Sequence, residues 1–151
     1  MNVEFKAIGF VKSAVTQQTD FDWGEVVSQI VLEAEYEKGL IGLMDFSHIN
    51  VIFYLNQAKF EYEHHLLRRP RGREDMPMLG IFSQRAKDRP NPIGITSVEI
   101  LGVEKNIVTV KGLDAINGTP VLDIKPYIPA FDKRDNAVVP EWNIRLMQNY
   151  F

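Results

Sequence analysis

The 151-residue sequence contains no cysteine. That excludes disulfides, thiolate zinc sites and a cysteine nucleophile together, and it fits a reducing, cytoplasmic setting. No window of eighteen uncharged apolar residues occurs, so no segment is expected to span a membrane. Lys6 and Lys12 interrupt the first apolar run and no small-residue cleavage site follows, so the opening residues do not read as a signal peptide. The patterns G-x-S-x-G, Walker A and G-x-G-x-x-G are all missing, which leaves a doubly wound nucleotide fold unsupported. Histidine is scarce. His64 and His65 are adjacent and point in different directions on a helix or a strand, and H-E-x-x-H spacing is absent, so no metal site is expected.

Excess positive charge is missing too: the net charge is −3, which argues against a broadly basic nucleic-acid binder. The charge is uneven, however. Between Arg68 and Arg89 seven cations face three carboxylates, a local +4. Such a patch binds a phosphate backbone or an anionic ligand, or is simply a solvated, mobile loop.

What is present is a series of short β patterns. Residues 3–12 alternate as a strand, with Gly9 marking a bulge. Residues 26–34 form a second strand and 49–55 a largely buried third. Tyr36, Leu40 and Leu43 allow a short helix, and residues 57–66 could start another. Residues 67–79 read as a long basic loop, and long loops in compact domains are often functional. Residues 97–103 and 106–113 form a hairpin, Asn117-Gly118 signals a turn, and 119–128 follow as a strand. Pro140 starts a short terminal helix. Many short strands between turn residues predict a mostly β barrel or sandwich.

Two stretches carry the chemistry. In Arg85–Gly94, Pro90 and Pro92 fix their own φ and push Arg89 and Asn91 out of the helical region. The product is a stiff loop that either holds a charged ligand at low entropic cost or rigidly joins two strands. In the second stretch, Asp123, Lys125 and Tyr127 share one face of an extended chain while Leu122 and Ile124 point to the core. That row is a polar site or a solvated face. His48, just before the buried strand, is a structural histidine or a site residue.

Five motifs then resemble one family. They are Phe46-Ser-His48, Arg69-Pro-Arg-Gly72, Gly80-Ile-Phe-Ser-Gln-Arg85, Arg89-Pro-Asn-Pro-Ile-Gly94 and Asp114-Ala-Ile-Asn-Gly-Thr-Pro-Val-Leu-Asp-Ile-Lys-Pro-Tyr127. Across about Val3 to Asp132 the chain is similar to the TsaA-like (TrmO-type) β-barrel methyltransferases, which use S-adenosylmethionine (SAM) to N6-methylate threonylcarbamoyladenosine beside the tRNA anticodon. The resemblance implies a single domain, 1–151, with a core over 3–132 and an extension over 133–151. It implies a small antiparallel β-barrel with short peripheral helices, SAM as cofactor, tRNA as substrate, a homodimer, and neither membrane nor metal. Matched motif to motif, SAM would meet Leu55, Asn56, Arg85, Ile95, and Lys111, Gly112, Leu113 and Asp114. Asp114, His48 and Tyr127 are candidates to take a proton from the acceptor nitrogen. Arg69, Arg71 and Arg73 would meet phosphates, and Trp23 would stack on a base. The chain departs from the family at residues 16–24, where a Pro-Arg-Gln-Pro-like stretch is usual, and it does not show the extra C-terminal region of longer members. A SAM-dependent methyltransferase of another substrate and a non-catalytic SAM-binding module are the rival readings.

Overall fold

Alternation decides the architecture. In a computed structural model, which describes residues 1–151, the strands are β1 (Gly9–Lys12), β2 (Val27–Leu32), β3 (His48–Tyr54), β4 (Leu67–Arg68), β5 (Leu79–Gly80), β6 (Ile93–Glu104), β7 (Ile107–Lys111) and β8 (Pro120–Pro126). Six of them close into a barrel of order β1-β2-β7-β6-β3-β8, with every neighbouring pair antiparallel. Closure leaves no free sheet edge. Alternate residues fill the interior: Val11, Ile30, Ile49, Val51, Val98, Val108, Val110 and Val121 are all at most 1% exposed. Burying each such side chain is worth roughly 1.5–3 kcal/mol before entropy is charged against it. Beyond the strand ends, Leu40, Leu113 and Ala115 join the same core.

Two glycines shape the wall. Gly94 in β6 lies where an added Cβ would fall 2.4 Å from the Phe53 ring, so the closest packing of β3 on β6 depends on its missing side chain. Gly118 takes φ +85° in the turn before β8, as the Asn117-Gly118 pair predicts.

Several sequence expectations are corrected. Residues 3–7 are exposed and outside the ladder; Gly9 is not a bulge but the first residue of β1, paired with both Leu32 and Val121. The bulges lie instead at Ile52/Phe53 and Ile100/Gly102. Ala34–Leu40 is a 3₁₀ rather than an α-helix, and Gly42 at φ +90° separates it from a second 3₁₀ turn, Leu43–Asp45. The helix near 57–66 shrinks to one turn, α1 (Tyr62–His65). Strand β6 begins at Ile93, so the proline loop feeds straight into the barrel. Two further short helices, α2 (Pro129–Asp132) and α3 (Glu141–Leu146), follow the barrel.

The basic segment is ordered, not a free loop. Strands β4 and β5 pair and close it, and Pro70, Met76 and Ile81 are buried beneath. The buried Gln84 amide donates to the carbonyls of Arg68 and Leu79, both at 3.0 Å. No helix is long and apolar enough to cross a membrane.

Candidate functional site

One end of the barrel gathers most of the residues that the sequence singled out. Strand β3 ends there, β6 starts there, and β7 runs out of the ladder there. The Leu55 N–H donates to the Pro92 carbonyl at 2.8 Å, fixing the exit of β3 to the proline loop. Arg85 Nη2 donates to the Ile95 carbonyl at 2.5 Å. Beyond β7, Gly112 takes φ +92° and its N–H donates to the Val26 carbonyl at 2.9 Å, turning the chain back across the barrel mouth. That turn sets Asp114 beside β6, where one carboxylate oxygen accepts from the Thr96 hydroxyl and the other from the Tyr150 hydroxyl. Leu55, Arg85, Ile95 and Asp114 are thus tied to one rim by a chain of short contacts through Pro92 and Thr96.

The chemistry of this rim is that of an amphipathic cleft. Arg85 is exposed, and its one hydrogen bond within the chain leaves donors of the guanidinium fork for an anion. Asp114 keeps lone pairs for a hydroxyl or an ammonium. Lys111 is held by Glu25 at 2.9 Å, and this hydrogen-bonded pairing raises its pKa, so it remains a cation through the neutral range. Asn56, next after Leu55 in the chain, is exposed. Leu113 is fully buried in the core, so only its backbone can face a ligand.

His48 and Tyr127 are elsewhere. Their rings stand 6.3 Å apart, edge to face, on the outer surface of β3, β6 and β8, and with Ser97 they line a shallow cleft of about 290 Å³. His48 Nδ1 lies 2.7 Å from the Ser47 hydroxyl. Ser97 donates to Asn50 Oδ1 at 2.5 Å, and Asn50 Nδ2 donates to Asp132 at 3.2 Å. Thr96 faces inward and Ser97 outward, so the barrel wall separates Asp114 from the other two candidate bases. A groove of about 460 Å³ between Lys12–Ala14 and Val27–Gln29 holds none of the predicted site residues.

The arginines of the basic segment are internal ties. Arg69 Nη1 donates to the Met76 carbonyl at 2.5 Å. Arg71 stands 3.6 Å from Asp20 and over the rings of Phe21 and Tyr150. Arg73 binds Asp75 through two bonds of 2.9 and 2.6 Å. Trp23 is only 3% exposed and its indole N–H donates to the Thr19 carbonyl at 3.0 Å, so it is a core residue here and offers no face to a base. Sequence reasoning missed Thr96 and Tyr150. An inward polar residue in a strand of apolar inward neighbours could have flagged Thr96; nothing local flags Tyr150.

Residues 12–133 match the tRNA-methyltransferase O N-terminal domain. The chain belongs to that family. Within it, the chain is 39% identical over 131 residues to an S-adenosyl-L-methionine-binding protein of Archaeoglobus fulgidus, covering 84% of this chain and 91% of the relative. It is 37% identical over 116 residues to the tRNA (adenine(37)-N6)-methyltransferase of Homo sapiens, covering 75% of this chain. It superposes on the crystal structure of TrmO from Pseudomonas aeruginosa with TM-score 0.77 and 27% identity over 95% of this chain. The chain spans only 25% of the human relative and 62% of the TrmO chain. The family match includes every rim residue named above except Tyr150, which lies beyond residue 133.

Proposed function

We propose that this chain is a SAM-dependent methyltransferase that N6-methylates threonylcarbamoyladenosine next to the tRNA anticodon. What carries the reading is the family match over residues 12–133, joined to the convergence of Leu55, Arg85, Ile95 and Asp114 at one rim. The donor set suits SAM: an exposed guanidinium for the methionine carboxylate, a carboxylate for ribose hydroxyls or the ammonium, and apolar Leu55 and Ile95 for the adenine. When bound, SAM supplies an electrophilic methyl group on a sulfonium, and no metal is needed.

The chain's own part is to bind and align. Arg85 orients the amino-acid end, Asp114 the sugar or ammonium, and Lys111–Leu113 contribute backbone and charge. His48 and Tyr127 lie across the wall from the cofactor, so they take the proton that the acceptor N6 releases only where a homodimer sets their face against a second copy's rim. In a homodimer, the exposed Tyr54 and Ile93 on the outer face would be covered by a second copy. Arg69, Arg71 and Arg73 would meet RNA only through donors not committed within the chain. The whole of 1–151 acts as one domain in this reading.

Incubation of the purified chain with SAM and threonylcarbamoyladenosine-containing tRNA, followed by mass spectrometry of nucleosides, tests the reading. An N6-methylated product is expected; bound SAM with unmodified tRNA would remove the substrate half. One observation favours a second reading, a SAM-binding protein acting on something else. The relative whose length this chain nearly fills is named only for SAM binding, whereas the named tRNA enzyme is four times longer than the matched region.

A further inference from the structure

We infer that the segment Asn149–Phe151 is a working part of the rim, with Tyr150 a positioning residue for the Asp114 carboxylate. The inference rests on the reading of Asp114 as a cofactor contact.

The segment is fastened by several kinds of contact. From α3, Arg145 Nη1 reaches Asp75 Oδ2 at 2.6 Å, which anchors the helix to the basic segment. The chain then turns at Asn149, φ +60°. The carbonyls of Asn149 and Tyr150 accept from the N–H groups of Asp22 and Trp23 at 2.9 and 2.8 Å. Gly24 leaves room for Phe151; a Cβ there would fall 2.7 Å from its backbone. Arg71 stands over the Tyr150 ring at 5.9 Å while holding Asp20. These contacts send the Tyr150 hydroxyl to Asp114.

The consequence for Asp114 follows from its valence. A carboxylate held by Thr96 alone can turn about its side-chain torsions. With one donor on each oxygen its plane is fixed, and each oxygen still has a lone pair for a ligand. The ligand then finds a preorganised acceptor and is spared the entropy of ordering it. Burial and the charge of Asp114 push the Tyr150 phenol well above its usual pKa, so it is a donor at every working pH. A segment held by two backbone bonds, an ion pair and a half-buried phenol is a wall of the site, not a competitor for it. It also gives residues 20–24, where the family's usual motif is missing, a role: they bed this segment.

The test is calorimetric titration of the full chain with SAM in four forms: unaltered, Tyr150→Phe, Asp114→Asn and both together. Tyr150→Phe keeps the ring over which Arg71 packs and removes only the hydroxyl. It should weaken SAM about tenfold, and the double variant should bind no more weakly than Asp114→Asn alone. Additive losses, unchanged binding, or tighter binding by Tyr150→Phe would each overturn the inference while leaving the cofactor reading intact. No SAM binding by the unaltered chain would remove that reading and the inference with it. As a check on folding, 3-fluorotyrosine at position 150 keeps the shape and strengthens the donor. Affinity at or above the unaltered level supports the hydrogen bond, and a tenfold loss contradicts it.

Discussion

Thr96 and Ser97 are consecutive residues of β6, and they serve two different places. Thr96 points inward and donates to Asp114 at the rim, where Arg85 and Ile95 also converge. Ser97 points outward into the cleft with His48 and Tyr127, tied through Asn50 to Asp132. The rim offers a free cation, a fixed carboxylate and apolar walls. The outer cleft offers an imidazole and a phenol, with Glu99 the cross-strand neighbour of His48. The pleat of one strand therefore separates groups suited to holding a charged cofactor from groups suited to moving a proton.

The largest effect that would break this division is on turnover. His48→Ala should lower methyl transfer by about a hundredfold and leave SAM affinity within about twofold, read from rates and calorimetry on the same sample. A parallel loss of affinity would put His48 at the rim. Next, Arg85→Ala should weaken SAM by about tenfold to a hundredfold; a variant that binds normally but turns over slowly would exchange the two roles.

The wall itself is open to test. Gly94→Ala forces a Cβ against the Phe53 ring, which is 2% exposed and cannot move aside. Overpacking of this kind costs about 1–3 kcal/mol, and thermal unfolding should fall by several degrees. An unchanged melting temperature would show that β3 and β6 can separate.

The smallest effect is acidic. Burial opposes the charge on Asp88. The Lys59 N–H, the Lys87 ammonium and the nearby His65 nevertheless hold its carboxyl below the usual range. A carboxyl depressed in the folded state stabilises fully above its unfolded pKa, about 4, and loses that contribution as pH falls from there through the lower folded value. Asp88 anchors the proline loop to residue 59, so Asp88→Asn should flatten the loss of stability below about pH 4. An acid limb identical to that of the unaltered chain would remove Asp88 from this role.

The barrel was legible because strand alternation and turn chemistry are local: Asn117-Gly118, the β6–β7 hairpin and the row Asp123, Lys125, Tyr127 stand as read, except that the bulge opposite Ile52/Phe53 turns Val121 rather than Leu122 into the core. The rim residues were legible through motif resemblance, since Arg85 and Asp114 lie 29 positions apart and only the fold joins them. Trp23 and the arginines are engaged within the chain in ways the residue types alone do not show: Thr19 and Asp75 hold Trp23 and Arg73 from nearby, and Asp20 holds Arg71 from a distant segment. Tyr150 was illegible because its contacts with Trp23, Arg71 and Asp114 all come from distant parts of the chain.

The most direct test of the division is to titrate SAM into the isotopically labelled chain and follow backbone amide resonances. Shifts should concentrate at Leu55, Arg85, Gly112 and Asp114, with His48 and Tyr127 little changed. Shifts centred on His48 and Tyr127, with Arg85 and Asp114 still, would contradict the assignment of the rim as the cofactor site.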